Sequence, residues 1–207
     1  MHNPRVDSIR RDDTFATLRD LKEEGKIRHF GVTLGPAINE RQIEEGVVAI
    51  TEQNVALVQL IYNLFERMIG EGVFPTARKE GAGILVRVPH ASGLLDGTVT
   101  KDTVFSGNDH RSFRTKDPEA KRKWQDEGLK KVEKLGFLLE GGRTLGQVAL
   151  QALLLEPSIV SVLPNIYQEE QLREFAGTSE APPITSDEQQ KLQDLMIHDF
   201  YLTPVSV

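Results

Sequence analysis

The sequence contains no cysteine. Disulfides, thiolate metal centres and cysteine nucleophiles are excluded, and a reducing compartment fits. No apolar run approaches the ~20 residues of a membrane-spanning helix. The first residues form no apolar h-region, so a signal peptide is not expected. Excess positive charge is also missing. With 31 acids against 25 bases the formal net charge is −6, which argues against nucleic acid or an anionic membrane as partner. What is present is core-forming material: 39% of the 207 residues are hydrophobic and 27% charged, a balance typical of packed globular chains. These features predict a cytoplasmic globular protein of about one domain.

The apolar runs are of two kinds. Short β-branched runs occur at 27–32 (IRHFGV), 55–61 (VALVQLI), 84–88 (ILVRV) and 159–163 (IVSVL). Bounded by Gly, Pro or Asn, they read as buried parallel strands. Helical patterns lie between and after them. Over 13–24, Phe15, Leu18 and Leu21 form one stripe, with Asp12 or Asp13 as N-cap and Gly25 as C-cap. Over 39–52 the stripe is Ile43, Val47 and Ile50. Further helices are expected at 75–80 before Gly81, at 118–140, at 144–156, where nearly all sides are apolar, at 169–176, and at 187–198 behind a Thr185-Ser186 cap. Strand–helix alternation of this kind means βαβ units and a parallel sheet. The polar, Gly-rich stretch 89–116 breaks the rhythm and reads as a functional loop. Four strands are too few for a closed (β/α)₈ barrel. A doubly wound sheet should carry G-x-G-x-x-G in its first βα turn, and Gly31-Val32-Thr33-Leu34-Gly35 lacks it.

Four strand ends, GKIRHFGVTLG (25–35), VQLIYN (58–63), ILVRVPHASGLLDG (84–97) and SVLPNIYQEEQLREF (161–175), occur in this order. The set resembles the C-terminal half of the aldo-keto reductases, (β/α)₈ barrels that pass a hydride between NAD or NADP and a small carbonyl compound or alcohol. The opening His2-Asn3-Pro4 resembles the end of that family's fourth strand. The resemblance implies a partial (β/α)₈ barrel over 1–207, a single incomplete oxidoreductase domain. It makes His2 the catalytic histidine that polarises the substrate carbonyl. The family's aspartate, tyrosine and lysine have no counterpart, so an inactive fragment is expected.

For the cofactor, the resemblance places Thr33 and Gln59 at the nicotinamide carboxamide. Leu34 stands where an Asn completes that clamp. Arg87 lies where an aromatic stacks on the ring, Pro89, Ser92, Gly93 and Leu94 wrap the pyrophosphate, and Asn165, Gln171 and Glu174 meet the adenosine end. The cations that favour NADP are replaced by Asn165 and Gln171, with only Arg173 nearby, so NADP and NAD both stay open.

Plainer readings stand beside these. His2 as an exposed terminal residue, Gln59 held by backbone groups, and Arg87 in an ion pair with Glu66 or an Asp are each sufficient on their own. His90, Asp109 and His110 read as solvated loop residues rather than a metal site. The lysines and Arg122 within 121–131 read as a solvated helix face, and His198 as a helix C-terminal charge partner. An open half-barrel would expose strand edges and an apolar face, so self-association is expected. Two alternatives remain: a non-catalytic nicotinamide-nucleotide-binding or subunit-interaction module, and an unrelated small α/β protein.

Overall fold

A computed structural model describes residues 1–105, 107, 109, 111 and 117–202. It divides into two compact units, one formed by Met1–Pro89 with Leu153–Pro164, the other by His90–Ala152 with the chain from Asn165 onward.

The first unit holds the whole sheet. Strands β1 (Gly31–Thr33), β2 (Leu57–Ile61), β3 (Gly83–Arg87) and β4 (Ile159–Leu163) lie in sequence order and are all parallel. The expected succession of parallel βα units is present, and the sheet is open. β1 is shorter and later than the run at 27–32 predicts. Its outer edge is not bare. Met1–Asn3 runs parallel beside it, with the Asn3 N–H on the Thr33 carbonyl (2.7 Å) and the Thr33 N–H on the Met1 carbonyl (2.9 Å).

The helices of this unit are α1 (Val6–Arg10), α2 (Asp12–Glu23), α3 (Arg41–Gln53) and α4 (Met68–Glu80). α1 was not foreseen. α2 is capped at Arg11 rather than at Asp12 or Asp13, while Gly25 follows its end at φ +71°. α4 starts seven residues before the expected Pro75 and contains that proline. Its Gly70 and Gly72 lie against the Tyr62 ring and Ile43, where an added Cβ would come within 2.3 and 2.7 Å. Such close packing holds a helix whose local propensity is poor.

One face of the sheet is sealed. Val32, Val58, Leu60, Ile84 and Val86 are buried in one cluster with Ile9, Phe15, Val48, Ala49, Val73 and Phe74. The buried side of α3 is rotated from the expected stripe and includes Gln42, Glu45 and Gln53. Each of these polar groups is at least partly bonded: Glu45 Oε1 receives Arg5 and Arg41 at 3.1 and 3.2 Å, Gln42 Oε1 accepts the Asn39 N–H at 3.2 Å, and the Gln53 amide donates to the Ile9 carbonyl at 2.9 Å, while Glu45 Oε2 and Gln42 Nε2 have no partner among the described residues.

The second unit contains α5 (Pro118–Lys134), α6 (Leu145–Leu153, whose last residue is counted with the first unit), α7 (Glu169–Ala176) and α8 (Ser186–Ile197). α5 ends six residues short of the expected 140, in a 3₁₀ turn at Gly136–Leu138. α6 stops three residues short of 156, leaving Leu154 and Leu155 nearly half exposed instead of buried. α8 has the expected Thr185 cap, closed into a capping box by Glu188. No helix among the described residues is long and apolar enough to cross a membrane.

Candidate cofactor site

Paired residues of neighbouring parallel strands point to the same face of a sheet. The register therefore lines up His2, Thr33, Gln59, Leu85 and Ser161 in one row across the unsealed face. The last pairing needs a register shift between Ile84 and Leu85, after which Ser161 and Leu163 stand opposite Leu85 and Arg87. Gln59, at the middle of β2, and Thr33, at the end of β1, are half-buried neighbours. Among the described residues the Gln59 amide makes no hydrogen bond, so the backbone partnership considered for it is absent. A paired amide and hydroxyl on an open face fit a ligand carboxamide, which offers one acceptor and two donors. Leu34 is 1% exposed and turned into the core, so its side chain adds nothing to that clamp.

Arg87 lies two residues beyond Leu85 on the same face. Its Nη2 donates to the main-chain carbonyls of Leu34 (3.1 Å) and Gly35 (2.5 Å). Among the described residues it has no carboxylate partner, so the plainer of its two readings, an ion pair with Glu66 or an Asp, is not met. Its Nε is buried without a partner. Burial lowers its pKa from the usual guanidinium range.

Sequence reasoning missed Asn63, just past β2. Its Oδ1 accepts the N–H groups of Phe65 (3.0 Å) and Glu66 (2.9 Å). Its Nδ2 donates to Glu66 Oε2 (2.7 Å) and the Val88 carbonyl (3.1 Å). Val88 sits at φ +59°, a costly conformation for a β-branched residue. Asn63 thus fixes the backbone where the chain leaves β3 for Pro89. The available signal was an Asn directly after an apolar strand, which favours an Asx turn.

In the second unit, Ala91–Gly93 form a 3₁₀ turn with Ala91 and Ser92 at positive φ and Gly93 at +103°. The N–H groups of Gly93 and Leu94 already donate to the carbonyls of His90 and Ala91, so the turn is closed on itself. Leu94 is buried against Gly128 of α5, where a Cβ would come within 2.4 Å of it. Its part is to anchor the turn.

His90 is buried beside the Phe175 ring (4.4 Å), with Nε2 at 3.2 Å from the Gly146 carbonyl and Nδ1 at 3.9 Å from Asp96. Burial lowers its pKa, opposed more weakly by Asp96, the Gly146 carbonyl and Glu174. Asp109 is engaged with Arg111 at 2.7 Å, and His110 lies outside the described residues. Among the described residues no three metal-ligating side chains converge.

The remaining candidates are on or near α7. Asn165 is exposed. Gln171 is buried, and its Oε1 accepts the Tyr167 N–H at 2.9 Å. Glu174 accepts the Thr144 hydroxyl. Arg173 is exposed and paired with Glu169 one turn earlier. His198 closes α8, its Nδ1 at 2.9 Å from the Asp194 carbonyl, the role expected of it.

The sequence model of the Aldo/keto reductase family matches residues 1–197. The chain belongs to the aldo/keto reductase family. It is 26% identical to the uncharacterized oxidoreductase YqkF of Bacillus subtilis over 192 residues, 92% of this chain and 57% of that protein. It is 28% identical to the NADH-specific methylglyoxal reductase of Escherichia coli over 171 residues, 78% of this chain and 47% of that enzyme. The chain spans about half the length of the curated relatives it matches. The structure of the glycerol dehydrogenase AKR11B4 from Gluconobacter oxydans superposes with a TM-score of 0.74 at 23% identity, over 99% of this chain and 59% of that one. The aldo-keto reductase AKR11C1 from Bacillus halodurans, in its holo form, gives 0.67 at 25% identity, over 94% and 56%. The open parallel sheet is thus aldo/keto reductase architecture, that of a partial barrel.

Proposed function

We propose that this chain carries the nicotinamide-binding part of an NAD(P)-dependent reductase of small aldehydes or ketones, within one incomplete domain. The observation that carries the reading is the Thr33–Gln59 pair, an amide without a hydrogen bond among the described residues beside a hydroxyl on the open sheet face. Bound there, the nicotinamide supplies or accepts the hydride. His2, next in the row, hydrogen-bonds the substrate carbonyl oxygen and polarises it. Arg87 and Pro89 border the same strand ends; in the second unit, the family resemblance assigns Ser92, Gly93 and Leu94 to the pyrophosphate. The family's tyrosine, lysine and aspartate have no counterpart among the 207 residues, so this chain is expected to bind dinucleotide with little or no turnover.

At the adenosine end we assign a preference for NADH. Asn165 is neutral, Gln171 and Glu174 are engaged internally, and Arg173 is neutralised by Glu169. A 2′-phosphate calls for an uncompensated cation. The name of the NADH-specific relative is in keeping with this. The buried Leu34 favours a second reading, a nucleotide-binding module without catalysis. Half-exposed Val160 and Leu163 on β4 support self-association, and the absence of cysteine suits the cytoplasm.

Fluorescence titration with NADH and NADPH tests the reading. NADH should bind more tightly, and Gln59→Leu should weaken it by roughly 5- to 100-fold, the equivalent of one or two hydrogen bonds. If neither dinucleotide binds, the reading fails. Rapid reduction of an aldehyde by the 207-residue chain would overturn the expectation of low turnover.

A further inference from the structure

Glu45 is the one acid on the buried side of α3. Its side chain is 2% exposed, and Arg5 and Arg41 both come in from the surface to meet one oxygen, Oε1. Burying a carboxylate is costly, and an apolar residue of similar size is often at least as stable in such a place. Stability alone therefore gives no reason for the charge. Arg41 stands four residues earlier on the same helix, so its bond serves α3 itself. Arg5 reaches Glu45 from 40 residues away, and it lies one residue past Pro4 and three past His2.

His2 needs support of this kind. Its imidazole is exposed and makes no hydrogen bond among the described residues. Its place beside Thr33 rests on two main-chain bonds, from the Asn3 N–H to the Thr33 carbonyl and from the Thr33 N–H to the Met1 carbonyl, an isolated bridge rather than a strand. So short a ladder gives little protection against local opening. Directly after it the chain turns at Asn3, with φ at +49°, a left-handed conformation that needs holding. The Asn3 Oδ1 is buried without a partner, so the side chain does not lock the turn. Pro4 is buried and stiffens the connection, and the next residue is the one bonded to Glu45, at 3.1 Å. We propose that Arg5 and Glu45 are positioning residues for His2: their ion pair holds the turn at Asn3 from one side while the bridge to Thr33 holds it from the other, which keeps the imidazole in the row with Thr33 and Gln59. The proposal rests on the reading of His2 as the group that meets the substrate carbonyl, and deepens it by naming what places that group.

The test follows the His2 ring signals by NMR, together with hydrogen exchange at the Thr33 amide, in the 207-residue protein. Arg5→Gln removes the charge from a side chain that is 59% exposed, so the fold should survive it. It should speed Thr33 exchange by about tenfold or more and move the His2 signals toward those of an unstructured peptide. Glu45→Gln should do the same. Arg5→Lys keeps the charge and should retain most of the protection. The Val58 and Ile84 amides, in the middle of the sheet, should keep their wild-type rates throughout. Glu52→Gln breaks the exposed pair with Arg10 at the far end of α1 and should change neither signal. Wild-type behaviour in Arg5→Gln, an equal loss in Arg5→Lys, the same changes in Glu52→Gln, or faster exchange at Val58 and Ile84 to match Thr33 would each overturn the positioning role. Saturating NADH should also shift the His2 ring signals of the wild type. Its failure to do so would instead strike at the nicotinamide reading, whatever the variants do.

Discussion

Asn63→Asp changes one atom and should be among the more damaging single substitutions in the first unit. The new carboxylate keeps an oxygen for the Phe65 and Glu66 N–H groups, so the turn itself survives. What disappears is the Nδ2 group. Its bond to the Glu66 carboxylate at 2.7 Å is charge-assisted and worth about 1.5–3 kcal/mol, and the one to the Val88 carbonyl about 0.5–1.5 kcal/mol. The Asn63 site is fully buried, and the replacement oxygen would face another carboxylate. The expected loss at pH 7 is roughly 2–4 kcal/mol, read by urea denaturation against wild type. The sign of its pH dependence follows from like charges sharing a site. The second ionisation of such a pair is pushed up, so the penalty is absent while the pair holds one proton and grows as pH rises through that ionisation. The deficit should therefore shrink as the pH is lowered from 7. A variant within about 0.5 kcal/mol of wild type at pH 7, or a deficit that does not shrink in acid, would refute the reasoning.

Other expectations are as specific. Gly128→Ala forces a methyl against Leu94 and should cost about 1–3 kcal/mol by overpacking, while raising amide exchange in the 91–95 turn. The depressed His90 pKa means that the unfolded chain takes up a proton before the folded one does. Stability is complete above about pH 6.5 and declines as pH falls toward the folded-state value, and His90→Phe should flatten that slope in thermal melts. Arg143 is buried and donates to the carbonyls of Leu138 (2.9 Å) and Pro183 (2.8 Å) and to Glu188, so Arg143→Met should lower stability by about 2–4 kcal/mol. Burial raises the Tyr62 pKa to about 12, so in alkaline spectrophotometric titration this phenol should ionise late.

The parallel strand order and the sealed face were legible because β-branched runs bounded by turn residues leave few other topologies. Gln59 stood out as a polar residue inside an apolar run, whereas Thr33 and His2 were singled out only through the family resemblance and Ser161 not at all. Other features depend on tertiary contact and carry little local trace. Pro75 reads as a helix start, yet α4 passes through it because Gly70 and Gly72 dock on Tyr62 and Ile43. The buried side of α3 includes Glu45 and Gln42, which a hydrophobic stripe cannot reveal, since the Arg5 partner of Glu45 is 40 residues away. The plainer reading of Arg87 was not met for a related reason. Main-chain carbonyls leave no mark in a sequence, whereas acids do.

The polar row also says where this protein can tolerate change in length. Each member reaches the open face only because every strand keeps its pairing, and side chains alternate with a period of two. One inserted residue early in β2 would turn Gln59 inward and bring Val58 or Leu60 out. A loop insertion of the same size would disturb nothing in the row. The irregularity between Ile84 and Leu85 shows how the fold has absorbed one such residue, with Val160 left 60% exposed while Ser161 and Leu163 return to register. Insertion scanning should therefore find a periodic pattern, intolerant inside β1, β2 and β3 and permissive between them. In lineages of such chains, length should drift at the loops while the distance along each strand to its polar residue stays fixed.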